Sequence, residues 1–143
     1  EARRYFYFSD SYLSLIKSRL NSSGMVALGF YHKNKLVYYT WLSFKTVEPE
    51  KYESLISIKE DSALLLDSFC HPDYRSFGIH SYMSSLRLNY SLDKGKKKAF
   101  TLVVSGNTAA FKALGKSGFK TLKIFKYLKV WGFKRIKVID VTK

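Results

Sequence analysis

The residues with the clearest chemical content stand together at positions 70–81, Cys70-His71-Pro72-Asp73-Tyr74-Arg75-Ser76-Phe77-Gly78-Ile79-His80-Ser81. They join an apolar run, Ser62 to Phe69, to a stretch in which Ile79, Tyr82, Met83, Leu86 and Tyr90 recur at helical spacing. A loop that ends where a helix begins presents unpaired backbone N–H groups and the positive end of the helix dipole, and both attract anions. Arg75 sets a fixed cation just before that point, and Gly78 permits close approach of the backbone to a phosphate. The chemistry these residues suit is recognition of a phosphate or pyrophosphate. Neither a P-loop nor a dinucleotide glycine fingerprint is present.

Other reactive side chains are few. Asp67 lies in an otherwise apolar run, and a buried, unpaired carboxylate is pushed toward the pKa of a general base. It is the candidate catalytic group; pairing, or a place at an opening in the sheet, is the alternative reading. Cys70 has no neighbouring base and reads as apolar filling. His71, just before Pro72, reads as structural, Tyr74 as loop packing and His32 as a solvated turn residue. Three scattered histidines and one cysteine give no metal site and no intrachain disulfide. The single thiol suits a reducing compartment, so a cytoplasmic location is expected, with contact at a membrane surface as a variant of it.

These residues need elements to place them. Ser9 or Asp10 caps a helix whose apolar face is Tyr12, Leu13, Leu15, Ile16 and Leu20, and Asn21-Ser22-Ser23-Gly24 ends it. Met25–Tyr31 and Leu36–Phe44 flank the polar turn Lys33-Asn34-Lys35 and read as a hairpin. Arg3–Phe8 is expected to be a short strand or a lead into the first helix, and Lys45–Asp61 a connection. Ser62–Phe69 is a buried strand, Gly78–Leu92 a helix, and Lys97–Ser105 a second buried strand. Asn107 stands at the start of a further helix that Gly118 stops, and Phe119–Val130 and Phe133–Val141 close the chain as two strands around Trp131-Gly132. The central strand–helix–strand implies a parallel pair with a right-handed crossover. Hairpins on both sides make a mixed, mostly antiparallel α/β sheet in a single domain spanning residues 1–143.

The segment from Cys70 to His80 resembles the acetyl-CoA-binding signature of the GNAT superfamily of N-acetyltransferases, whose core is Arg/Gln-x-x-Gly-x-Gly/Ala. Asn107-Thr108-Ala109-Ala110 and Gly118-Phe119 resemble the family's Asn-x-x-Ala and Gly-Phe stretch, and the element order agrees from about Ser9 onward. The resemblance implies acetyl-CoA as cofactor. Backbone N–H groups of Phe77, Gly78, Ile79, His80 and Ser81, with Ser76 in the loop and Arg75 beside it, would hold its pyrophosphate. Ser68, Phe69 and Cys70 would bond the pantetheine arm as an added strand does, through a splay from Lys97–Ser105. Asn107 would lie near the thioester. Three departures matter. Ser76 replaces a usual Gly, and His80 a usual Gly or Ala, where it either crowds the phosphate or adds a cation. Leu114 occupies the place of the tyrosine that protonates the departing thiolate.

Charge points to a partner. The chain carries 25 Lys and Arg against 11 Asp and Glu, a net of +14. Residues 1–93 hold 11 basic and 10 acidic side chains, whereas residues 94–143 hold 14 basic ones and the single acid Asp140. With 46% hydrophobic and 17% aromatic residues, disorder is excluded, and no apolar stretch reaches the ~20 residues of a membrane span. The function expected is transfer of an acetyl group from acetyl-CoA to a primary amine of a small molecule or glycan precursor, by direct attack in a ternary complex. Two alternatives stay open: a longer acyl donor on CoA or on an acidic acyl carrier protein, and a non-catalytic basic module on the same fold. An acidic carrier or an anionic membrane surface fits the basic third; nucleic acid is not the partner expected.

Overall fold

The structure, a computed structural model, describes residues 9–45, 59–130 and 133–141. The strand expected at Arg3–Phe8, most of the connection Lys45–Asp61 and the Trp131-Gly132 junction lie outside these residues. The chain divides into two compact units, Glu1–Val104 and Ser105–Lys143.

In the first unit, α1 (Asp10–Leu20) starts at Ser9, whose hydroxyl accepts the N–H of Tyr12 at 3.3 Å. The hairpin β1 (Met25–His32) and β2 (Lys35–Ser43) turns through Lys33 and Asn34, at φ +47° and +59°. Two successive left-handed residues match the twist of the flanking strands. Next come β3 (Ser62–Cys70), a 3-10 turn (Pro72–Tyr74), α2 (Ile79–Asp93) and β4 (Lys98–Thr101). The sheet order is β1-β2-β3-β4, with β3 antiparallel to β2 and parallel to β4. One face packs Trp41, Leu64 and Leu66 with Ile16 of α1; the other packs Val37 and Tyr38 with Ile79 and Met83 of α2. The sheet is a middle layer with a helix on each side.

Both helices bury a cation where the apolar spacing points elsewhere. In α1, Leu20 is exposed and Arg19 is buried, its guanidinium 5.7 Å from the ring centre of Trp41. In α2, Tyr82 and Leu86 are exposed, while Ile79, Met83, Arg87 and Ser91 form a buried row four residues apart. Hydrogen bonds inside that row explain the shift, since Arg87 Nη2 donates to Ser84 Oγ at 3.2 Å and Ser91 Oγ to the Arg87 carbonyl at 2.8 Å. Buried polar groups are tolerated where they find partners.

In the second unit, Asn107 caps α3 (Thr108–Lys116) by accepting the N–H of Ala110 at 3.1 Å, and β5 (Lys123–Val130) and β6 (Phe133–Asp140) form an antiparallel hairpin. A mixed, mostly antiparallel architecture with one parallel pair and a C-terminal hairpin is what the sequence implies and what is observed. No helix among the described residues is long and apolar enough to cross a membrane.

The turn supplies a stability test. Lysine in the left-handed region is strained, and Asn-Gly is the pair such a turn prefers. Replacing Lys33→Asn together with Asn34→Gly is expected to raise stability by about 1 kcal/mol. The readout is a higher urea midpoint at an unchanged slope.

Candidate active site

The parallel ladder between β3 and β4 pairs Ser62–Leu65 with Lys98–Thr101 and stops there, while β3 runs on for five residues. The expected strand Lys97–Ser105 is therefore shorter than its pattern suggests, with Leu102, Val103 and Val104 in no ladder. Thr40 pairs with Ser68 and Trp41 with Leu66, so Asp67 is an extra residue in β3, a β-bulge. The bulge changes the phase of the strand. Leu64 and Leu66 face α1, but Ser68 and Cys70 face α2, where unbroken alternation would put all four on one face.

Beyond the bulge, the hydrogen-bond direction follows from one contact. His71 N–H donates to the Val37 carbonyl at 2.8 Å, in register with the Tyr39–Phe69 pair. Antiparallel pairs alternate, so Phe69 bonds β2 while Ser68 and Cys70 direct their N–H and C=O groups to the opposite side, where β4 has ended. Arg75 Nε donates to the Cys70 carbonyl at 3.2 Å from that side. Of the three strand residues expected to line a pantetheine arm, Ser68 and Cys70 thus face the side on which β3 has no ladder partner among the described residues, and Phe69 does not.

The chain then reaches α2 through a loop held by its own polar groups. His71 accepts the N–H of Asp73 at 3.3 Å, and Tyr74 packs edge-on against the rings of His71 and His32. Ser76 has φ +67° and Gly78 φ +77°. Gly78 is the N-cap of α2 and no side chain caps the helix, so the first-turn N–H groups of Ile79, His80 and Ser81 have no side-chain acceptor. Phe77 is exposed. A Cβ added at Gly78 would meet nothing within 4 Å. Left-handed residues ahead of an uncapped helix start form a concavity of N–H dipoles, suited to an anion.

The His80 ring is turned toward the sheet. Its Nδ1 lies 2.8 Å from the Tyr38 hydroxyl, and burial, then the charge of Arg87, pushes its pKa below 6.5. Burial also raises the Cys70 thiol, with Arg75 opposing, so the thiol stays protonated and does not act as a nucleophile.

Asp67 departs from the condition that would make it a base. It is not buried and unpaired: its side chain is 41% exposed and its Oδ2 accepts from Arg19 Nη1 at 2.6 Å. The bulge turns it toward α1, where Tyr12 also reaches Oδ2, at 3.4 Å, and receives a hydrogen bond from Tyr39 at 3.1 Å. Burial, with help from the Tyr39 bond and the Asp67 charge, drives the Tyr12 phenol far above its ordinary range. Asn107 belongs to the second unit, where its Oδ1 is spent on the α3 cap. No three His, Cys, Asp or Glu side chains converge as metal ligands among the described residues. The sequence did not mark Tyr12, Arg19, Tyr39, Thr40 or Arg87. The available signal was an arginine three or four residues after an apolar one, Ile16 to Arg19 and Met83 to Arg87.

No protein-family model matches the sequence, and no curated protein matches it. Solved structures do match. The aminoglycoside N-acetyltransferase AAC(6')-Iy, in complex with the bisubstrate analogue CoA-S-monomethyl-acetylneamine, aligns with a TM-score of 0.67 and 13% identity, over 87% of this chain and 82% of that one. The aminoglycoside 6'-N-acetyltransferase AAC(6')-Ih from Acinetobacter baumannii aligns with a TM-score of 0.65 and 14% identity, over 86% and 81%. A protein described as a transcriptional regulator from Bacillus halodurans C-125 aligns with a TM-score of 0.63 and 16% identity, over 82% and 76%. The chain has the fold of the N-acetyltransferases, the GNAT fold.

Two measurements bear on the loop. Ser76 occupies a left-handed conformation that glycine takes without strain, so Ser76→Gly is expected to stabilise by about 0.5–1 kcal/mol in urea unfolding. His80 binds its proton less readily folded than unfolded. Its contribution is complete above pH 6.5 and is lost as pH falls through the lower folded value. Between pH 7.5 and 5.5 the urea midpoint of the wild type should therefore fall further than that of His80→Gln.

Proposed function

We propose that the protein is an N-acetyltransferase that moves an acetyl group from acetyl-CoA to a primary amine by direct attack in a ternary complex. The observation that carries this reading is the end of the parallel ladder at Leu65 and Thr101, directly before an uncapped helix start. The opening gives an extended arm a strand edge to bond, and the loop gives a pyrophosphate its dipoles. Both needs of CoA are met by adjoining segments of one chain.

In this reading the N–H groups of Phe77 to Ser81 hold the pyrophosphate, with Arg75 as the nearby cation. Arg75 is tied to the Cys70 carbonyl and so links the loop to the strand edge. Ser68 and Cys70 orient the pantetheine arm through their backbone. When bound, acetyl-CoA supplies a thioester carbonyl already activated toward an amine, so the protein's task is mainly to hold the two reactants in line. The acceptor enters on the α1 face, where Asp67 stands beside the bulge. Both of its described contacts fall on Oδ2, and the other oxygen accepts a hydrogen bond from the N–H of the neutral amine, whose surplus proton passes to solvent as the C–N bond forms and the C–S bond breaks. Tyr12 and Tyr39 form the wall of that side. Leu114 supplies no proton, so the departing thiolate is protonated by solvent.

The fold neighbours support this choice of cofactor and of a small amine acceptor. The fold alone does not, since a protein described as a transcriptional regulator shares it.

Acetyl-CoA at millimolar concentration is expected to raise the melting temperature of the wild type, as any ligand of the native state does. Gly78→Glu should abolish the shift by placing a carboxylate in the anion site. Gly78→Ala should cost about 1 kcal/mol of stability and keep the shift. An unchanged melting temperature for the wild type would overturn the cofactor assignment. A screen of CoA release across amine classes then identifies the acceptor.

A further inference from the structure

The hairpin of the second unit sorts its charges by face. Residues opposite one another in an antiparallel pair share a face, and successive residues alternate between faces. The register therefore sets Ile124 with Ile139, Lys126 with Lys137 and Leu128 with Arg135 on one side. The other side carries Lys123 with Asp140, 3.5 Å apart, and Phe125 with Val138. Among the described side chains, the first face holds three cations and no acid, and the second holds one of each. Lys126, Arg135 and Lys137 are exposed, and none has an ion-pair partner among the described residues.

Two features of the cationic face point to an anionic layer. Opposed like charges weaken a ladder, and anions lying over Lys126 and Lys137 would relieve their repulsion. Aliphatic side chains are interleaved with the cations, Leu128 at 60% exposure and Ile124 at 44%. That mixture distinguishes among anionic partners. Phosphate contacts to nucleic acid need cations and have no use for the aliphatics between them. A protein partner is met through aromatic, Met and Arg anchors, and Lys is depleted from such contacts. A lipid headgroup layer suits both kinds of side chain, since cations lie at the phosphates while aliphatic neighbours enter the acyl boundary. The apolar stems of Lys and Arg let their charged heads stay in water as the neighbours sink.

We propose that this hairpin face docks the protein on an anionic lipid surface, with Lys126, Lys137 and Arg135 at the headgroup phosphates and Leu128 and Ile124 beneath them. Docking of this kind is independent of the acetyl-CoA reading, since it uses no residue of β3 or of the loop before α2.

The test is sedimentation of the full chain with vesicles of phosphatidylcholine alone and of phosphatidylcholine containing about one third phosphatidylglycerol. Wild type should bind the anionic vesicles about a hundredfold more tightly, the combined effect of three cations near a charged surface. Lys126→Gln together with Lys137→Gln should weaken that binding about 25-fold, and Leu128→Ser about fivefold. Lys33→Gln together with Lys35→Gln removes the same charge from an exposed turn of the first unit and should leave binding within about twofold. Should the hairpin double variant not fold, Arg135→Gln is read in the same way, with a loss of about fivefold. Equal binding to the two kinds of vesicle overturns the proposal. Equal losses in the two double variants also overturn it, because net charge alone would then be the cause. Duplex DNA or an acidic acyl carrier protein held through Lys126 and Lys137, with no binding to vesicles, assigns the face to that partner and overturns the lipid.

Discussion

One extra residue in one strand governs the geometry of the first unit. Without Asp67 as a bulge, β3 would keep a single alternation from Ser62 to Cys70, and Ser68 and Cys70 would face α1 with Leu64 and Leu66. Their small side chains would then break the apolar layer under Trp41, and Arg87 would have no hydroxyl to meet at Ser68. The phase change instead lets an apolar half of β3, paired on both sides, continue into a half paired on one side only. The ladder to β4 stops at Leu65, two residues before the bulge, and bulges bend their strand and disrupt its ladder locally.

The two buried arginines sit on opposite faces of that point. Arg19 from α1 reaches Asp67, the side chain of the bulge residue; Arg87 from α2 reaches Thr40, which bonds the bulge carbonyls. A bulge is thus clamped from both faces, once through its side chain and once through its backbone. The two clamps differ in energetic character. Arg19 has a carboxylate partner that is partly in water, where an ion pair is worth little but costs little. Arg87 is buried, and its described side-chain partners are the hydroxyls of Thr40, Ser68 and Ser84.

Much of the architecture is legible in the amino-acid order, and the reasons differ by element. The hairpin is readable because Lys33 and Asn34 interrupt two β-branched and aromatic runs. Helix α2 is readable because Gly78 and Asp93-Lys94-Gly95 punctuate it, and the strand-to-helix junction because Arg75 and Gly78 stand between two apolar patterns. The bulge is not readable. Residues 62–66 are buried on both faces, so their apolar run carries no alternation whose phase could be seen to change. The arginines escape for another reason: periodicity counts apolar residues, and the partners that admit Arg19 and Arg87 to the interior lie 48 and 47 positions away in the chain. Asp67 was visible as an anomaly, but its exposure and pairing are products of the bulge.

Charge is spread unevenly along the chain. The strand-to-helix loop lies in the part of the chain whose charges nearly cancel, and it carries uncapped N–H groups and the guanidinium of Arg75. Ordered dipoles act at contact distance and fit one geometry. The basic excess follows Lys94. In the hairpin, Lys126 stands directly across from Lys137, and Lys123 meets the acid Asp140 at 3.5 Å. Like charges facing across a ladder oppose its formation, so the arrangement is unfavourable for the hairpin by itself. Exposed charges of this kind act over about a Debye length and select for sign rather than shape. The two features stand apart along the chain: the uncapped helix start belongs to the first unit, and the basic excess begins at the end of α2 and continues through the second.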